Sequence, residues 1–306
     1  MSLSTQMTIK TILARLNSPI AILLIVMFYG AGQSHAQAQV ANSETISKAT
    51  SYRQMRIVSL SPHLTEIVFA LEKQQNLVAV SDYSDYPYPQ GCIDQTCSRE
   101  LPSVASYQGA DIAAIVRLKP TIILAWESGN KAQDIARLEQ LGFTVFRSSP
   151  NNIQELMNEI IAVGEHLNAE KQSLALYKDM KKRIQVISEN YRASNISAIY
   201  YMNQHPLSGM GNDAWLNSLL SLCNISNVYA QLPSAYAQFS VADIIRKQPQ
   251  LVIAATHQTI EQVYNFWAPH KHVFSPRIEI VNPDALHRFT PRVLPELEKL
   301  CQNVHR

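Results

Sequence analysis

The sequence carries little excess of charge, a formal +2 at pH 7. It holds 26 Lys and Arg against 24 Asp and Glu in 306 residues, and two of the basic residues, Lys10 and Arg15, lie in a segment expected to be removed, leaving 24 of each. A balanced chain offers no basic field for nucleic acid. The apolar run Ile20–Tyr29 is ten residues long, about half of the ~20 that a membrane-spanning helix needs. No G-x-S-x-G is present, which removes the usual nucleophile elbow of an exported hydrolase. No two cysteines have the CxxC spacing of a structural zinc site. No cysteine follows the apolar run, so a lipid-anchored form is not expected.

Lys10 and Arg15 ahead of that run, and Ser34-His35-Ala36-Gln37-Ala38 after it, read as a secretory signal peptide over residues 1–38. Cleavage is expected after Ala36 or Ala38. Residues 39–54 are polar and aperiodic, a flexible leader. The remaining chain of about 270 residues can bury a full core and suits two lobes. All four cysteines, Cys92, Cys97, Cys223 and Cys301, lie beyond the signal. An even count in an exported chain favours disulfides, with three connectivities possible. Cys92 and Cys97 bracket a tight loop and could close on each other. Cys223 and Cys301 would then tie a mid-lobe helix to the C-terminal helix, and a four-cysteine metal site is the rival.

One motif occurs twice, 129 positions apart. Asp111-Ile112-Ala113-Ala114-Ile115 leads through Lys119-Pro120 into Thr121-Ile122-Ile123-Leu124-Ala125. Ser240-Val241-Ala242-Asp243-Ile244 leads through Gln248-Pro249 into Gln250-Leu251-Val252-Ile253-Ala254. Each copy predicts a short amphipathic helix, a proline stop and a buried strand of the parallel type. Strands are expected at Arg56–Leu60, Leu77–Val80, Thr121–Trp126 and Phe143–Arg147. The first of them runs into Ser61-Pro62, a helix N-cap with proline at N1. From Ala169 to Tyr191, Tyr177, Met180, Ile184, Ile187 and Tyr191 make one apolar stripe on a long helix. The fold class is therefore α/β: two Rossmann-like lobes with parallel sheets (55–166 and 195–306), joined by a single long α-helix (167–194), with a ligand cleft between them.

Three patterns invite chemistry. Gly209-Met210-Gly211-Asn212-Asp213-Ala214 fits a dinucleotide turn, but the strand before it ends too early, and a turn ahead of a helix is the reading adopted. Ser61-Pro62-His63 sets a nucleophile near a base, yet adjacent residues are not expected to reach catalytic geometry, and capping accounts for Ser61. His257, His270 and His272 have no evident carboxylate partner at ligand spacing, so no metal site is assigned. Aromatics are more unusual. Tyr83, Tyr86, Tyr88, Tyr107, Trp126 and Tyr236 fall on loops or strand ends, where parallel α/β lobes place ligands, and suit a large flat molecule.

Taken in order, Arg56-Ile57-Val58-Ser59-Leu60-Ser61-Pro62 with Thr65-Glu66, Tyr83-Ser84-Asp85-Tyr86-Pro87, Tyr107-Gln108-Gly109, Leu118-Lys119-Pro120, Ala125-Trp126, Ser208-Gly209 and Pro291-Arg292 resemble the periplasmic vitamin B12-binding proteins of ABC importers. The wider class also binds siderophores and haem. The likeness spans about Arg56 to Asn303. It implies two lobes joined by a rigid helix, with little closure, and a corrinoid such as cobalamin held between Tyr83, Tyr107 and Trp126 on one lobe and Tyr236, Asp284 and Arg288 on the other. It also places a disulfide at Cys223 and Cys301. The family usually carries an acidic residue in each repeated helix to dock on the permease. Here those positions are Ala113 and Ala242, and the neighbouring Asp111 and Asp243 are the candidates. The Cys92–Cys97 segment looks like an insertion beside the binding loop. The implied protein is a monomeric periplasmic carrier with no cofactor, no metal and no enzymatic role, serving an inner-membrane ABC permease and its ATPase. A haem or ferric-siderophore receptor is the alternative, and an exported hydrolase the remote one.

Overall fold

The computed structural model describes residues 54–192 and 195–306. The signal peptide expected over 1–38, and all but the last residue of the leader expected over 39–54, lie outside the described residues, as do Ala193 and Ser194 of the linking segment. Residues Met55–Arg306 form one compact unit.

Strands β1 (Ile57–Ser59), β2 (Leu77–Ser81), β3 (Ser103–Ser106), β4 (Gly109–Ala110), β5 (Ile122–Trp126) and β6 (Val145–Ser148) build the first sheet in the order β4-β3-β2-β1-β5-β6. All neighbours are parallel except β4, which runs antiparallel to β3. Helices cover both faces, so Ile122 to Ala125 are all buried, which is why β5 reads as a continuous apolar run. The second sheet contains β7 (Ile196–Gln204), β8 (Leu207–Met210), β9 (Ile225–Asn227), β10 (Tyr236–Gln238), β11 (Leu251–Ala255) and β12 (Arg277–Val281). Its order is β10-β8-β7-β11-β12, with β9 also on β7. Its centre is parallel, while β8 and β10 are antiparallel additions. Gly209 therefore lies within β8, not in a turn ahead of a helix. A Cβ there would fall 2.0 Å from the Tyr200 carbonyl oxygen, so β8 can approach β7 only through glycine.

The helices are α1 (Pro62–Ala70), α2 (Ile112–Leu118), α3 (Ala132–Gln140), α4 (Ile153–His166), α5 (Glu170–Asn190), α6 (Ala214–Leu222), α7 (Val241–Lys247), α8 (Ile260–Trp267), α9 (Pro283–Leu286) and α10 (Val293–Val304). The repeat is carried by α2–β5 and α7–β11. In each copy the residue at the same place caps the helix: the Asp111 side chain accepts from the Ala114 N–H, and that of Ser240 from the Asp243 N–H. Each helix then ends on a left-handed residue, Lys119 (φ 49°) or Gln248 (φ 45°), directly before its proline.

The long helix α5 has 21 residues, about 30 Å at 1.5 Å per residue. Met180 and Ile187 of its predicted stripe are buried, and Tyr177, Ile184 and Tyr191 pack partly buried against the same core. One apolar cluster runs from Leu64 and Leu124 through Ile160 and Met180 to Leu219, Val281 and Leu297, so the core passes unbroken from one sheet to the other. Two smaller clusters, around Ile115 and Ile123 and around Ile244 and Val252, fill the outer faces where the repeated helices pack. The cysteines pair Cys92 with Cys97 and Cys223 with Cys301.

Candidate functional site

The C-terminal ends of β1, β2 and β5 converge with the β3–β4 hairpin on a cavity of about 240 Å³. Tyr83, Tyr107 and Trp126, the three residues expected on the first lobe, all line it, with Leu60, Ser61 and Asn130 among their neighbours. Trp126 is held in place by its backbone. Its N–H donates to Asn130 Oδ1 (2.7 Å), and Asn130 Nδ2 donates to the Leu60 carbonyl (2.8 Å), which clamps the end of β5 to the end of β1. Gly129 makes room for the indole, because a Cβ there would sit 1.8 Å from the ring. Tyr107 and Tyr83 are 82% and 68% exposed, a large apolar area left uncovered. Tyr83 also sits at φ 61°, a left-handed backbone that bulky residues rarely adopt and that tends to mark functional loops.

On the second lobe, a cavity of about 540 Å³ is lined by Met202, Asn203, Thr256, His257, Pro283 and His287. Asp284 and Arg288, expected here, lie on α9 and just beyond it. His257 Nε2 is 3.2 Å from Asp284 Oδ2, so this histidine has the carboxylate partner that its sequence neighbourhood does not reveal. His270 and His272 lie beyond α8, outside that cavity's lining. Among the described residues no cluster of three or more His, Cys, Asp or Glu is arranged to hold a metal ion. Tyr236 is 61% exposed on the edge strand β10 and lines neither cavity. His287 Nε2 lies 2.8 Å from the Tyr200 hydroxyl, and burial holds the imidazole down at about 4, against the opposing pull of Asp284.

Arg288 is more than a cleft residue. Its guanidinium pairs with Glu66 (2.9 Å), Asp85 (3.0 Å) and Asp284 (3.5 Å). Arg292 grips the same Glu66 through two nitrogens (3.1 and 2.7 Å) and lies 4.0 Å over the Tyr86 ring. Glu66 has only 4% of its side chain exposed, and a buried carboxylate persists because two guanidinium groups satisfy it. This ion cluster ties α1 and the Tyr83–Tyr88 loop to the second lobe. Sequence reasoning missed Glu66, although Thr65-Glu66 and Pro291-Arg292 both stood out as motifs.

Ser61 and His63 correct the sequence reading in two ways. The Ser61 side chain makes no capping hydrogen bond to α1. Its Oγ instead lies 2.6 Å from His63 Nδ1, because an N-cap side chain can reach the residue two positions into the helix. His63 Nε2 is 3.1 Å from Ser148 Oγ, which donates to Glu159 Oε1 (2.5 Å). Ser61, His63 and Ser148 are buried. Burial, aided by the Arg288 charge, holds His63 down at about 3, so it is neutral.

The two candidate docking carboxylates are both engaged within their own lobes. Asp111 Oδ1 caps α2 (2.8 Å), and Asp243 accepts from the Tyr229 hydroxyl (2.7 Å) and pairs with Arg246. Ala113 and Ala242 are exposed at matching places on the two helices.

The model of the periplasmic binding protein family matches residues 57–267. A Vibrio cholerae protein named vitamin B12-binding protein is 33% identical over 80% of this chain and 87% of its own length. A Photorhabdus laumondii protein of the same name is 28% identical over 82% and 88%. The crystal structure of the periplasmic vitamin B12-binding protein BtuF of Vibrio cholerae superposes with a TM-score of 0.71, at 31% identity, over 81% of this chain and 95% of that one. The periplasmic haem-binding protein HutB of the same species shares the fold at 18% identity, with a TM-score of 0.68 over 82% and 99%. With a family match across most of its length and a relative above 30% identity, this chain belongs to the periplasmic binding protein family.

Proposed function

We propose that the chain captures cobalamin, or a related corrinoid, in the periplasm and hands it to an inner-membrane ABC permease without chemical change. The observation that carries this reading is the cavity where Tyr83, Tyr107 and Trp126 meet. Three rings at one mouth offer a broad amphipathic surface at little entropic cost, and relatives at up to 33% identity bear the vitamin B12-binding name. Tyr236, Asp284 and Arg288 would complete the site from the second lobe. Asp284 would accept from the ligand's side-chain amides, and Tyr236 would lie over its edge.

The charge arrangement favours a corrinoid over haem. Haem brings two carboxylates and would need free cations in the cleft. Arg288 and Arg292 are already neutralised by Glu66, Asp85 and Asp284. Amide side chains make no such demand. The N-terminal segment 1–38 would serve as the export signal, the carrier would act as a monomer, and the α2 and α7 ends bearing Asp111 and Asp243 would meet the permease.

Calorimetric titration of the processed protein with cyanocobalamin, cobinamide and haemin tests the reading. One-to-one binding of cyanocobalamin, weakened by about 1–3 kcal/mol in Trp126→Ala, is expected if the indole stacks on the ligand. Saturation by haemin alone would overturn it.

A further inference from the structure

The buried chain from Ser61 to Glu159 has a direction, and the direction reaches the cavity. Ser148 Oγ is 2.5 Å from Glu159 Oε1, and Glu159 Oε2 accepts from the Ser149 N–H (3.1 Å). A carboxylate only accepts, so the single Ser148 proton is spent on Glu159. Ser148 must then accept at its other contact, from His63 Nε2–H. A neutral imidazole carries one N–H, which leaves His63 Nδ1 bare and obliges it to accept from Ser61 O–H. Each hydroxyl thus points away from the cavity towards Glu159. Ser61 is among the residues lining the cavity, and its Oγ has no other hydrogen-bond partner among the described residues.

We propose that Ser61 is a specificity-determining residue: the relay fixes its hydroxyl as an acceptor only, so it takes an amide N–H of the ligand's periphery and rejects a carboxylate at the same place. His63, Ser148 and Glu159 are positioning residues that act through it. The inference rests on the corrinoid reading and adds to it the feature of the ligand that is recognised. The cost to a carboxylate is the meeting of two acceptors in a buried site, where the missing hydrogen bond is not replaced by water. A freely rotating serine, by contrast, would donate to a carboxylate and accept from an amide equally well.

The test compares cyanocobalamin with its side-chain monocarboxylic acids, in each of which one peripheral amide is hydrolysed. The wild-type protein is expected to bind at least one of these acids tenfold or more weakly than cyanocobalamin. Ser61→Ala should weaken cyanocobalamin binding by about 2- to 10-fold, the range of one neutral hydrogen bond, and should shrink the discrimination. Glu159→Gln provides the second variant, because it leaves the cavity lining intact. An amide at that position can donate to Ser148, which lets the whole chain reverse and frees the Ser61 proton. Discrimination should then fall while cyanocobalamin affinity stays within about threefold. The ¹⁵N shifts of His63 in the ligand-free protein should report the Nε2–H tautomer.

An Nδ1–H tautomer, or discrimination unchanged in both variants, overturns the inference and leaves the corrinoid reading standing. A wild-type protein that binds no corrinoid overturns both.

Discussion

His63 and His287 are neutral in the fold for the same reason, loss of water, and both should couple stability to pH. Their imidazoles are held at about 3 and about 4, against roughly 6.5 in an unfolded chain. Below about pH 6.5 the unfolded state binds protons that the folded state refuses, so stability falls with falling pH until the folded values are reached. At pH 5 the two together should remove roughly 4 kcal/mol relative to pH 8. Chemical denaturation at both values measures this, and His287→Gln should abolish about half of the difference. A flat profile between pH 8 and 5 would show that neither imidazole is as dry as the structure makes it. Neither environment was legible in the sequence, because burial of a lone histidine depends on what folds over it. The cavity-lining rings were easier to read. Trp126 ends an apolar strand and Tyr83 opens a loop after one, and topology places such positions at the cavity. Ser61 was misassigned because local rules name the N-cap position without saying where the hydroxyl turns.

At the scale of elements, the two disulfides constrain very different lengths of chain. Cys223 and Cys301 are 78 residues apart and join the end of α6 to α10, whereas Cys92 and Cys97 are 5 apart within one loop. Chain-entropy arguments give ~4.5 kcal/mol for the longer closure and ~2 kcal/mol for the shorter. Cys223→Ala/Cys301→Ala should therefore lower the unfolding free energy about twice as far as Cys92→Ala/Cys97→Ala. Urea titrations of both double variants check this, and equal losses would mean that local strain, not loop length, decides. The short loop follows the segment bearing Tyr83, Asp85 and Tyr86, so its opening should register in ligand affinity more than in stability. Elements with strong local punctuation were legible: α2 and α7 with their proline stops, and α5 within one residue at each end of its predicted span. Strands β3, β4, β8 and β10, of two to four residues, were not. They are too short to show alternation, and their partners rather than their composition make them strands.

In the whole molecule, three connections restrain the lobes besides α5. The apolar core is continuous between the sheets. His63, Trp126, Phe289 and Trp215 form an aromatic bridge, with ring centroids 4.8–6.0 Å apart. Glu66 takes both Arg288 and Arg292 across from α1. The sequence repeat announced two lobes but not these ties, since each joins residues more than 150 positions apart or depends on burial that no local window contains. Such a frame opposes hinge closure, and binding is expected to leave the radius of gyration within about 1 Å of its ligand-free value. The ion cluster is the tie that can be cut alone. Glu66→Gln removes the charge and leaves two guanidinium groups facing each other with only Asp85 and Asp284 to offset them. Breaking a buried pair in this way typically costs about 3–5 kcal/mol. Denaturant unfolding of Glu66→Gln should show a loss of that order, and small-angle scattering should then detect a ligand-dependent change in dimensions that the wild-type protein lacks. If the variant loses stability yet stays equally rigid, the continuous core alone holds the lobes, and the carboxylate serves only to keep two arginines buried.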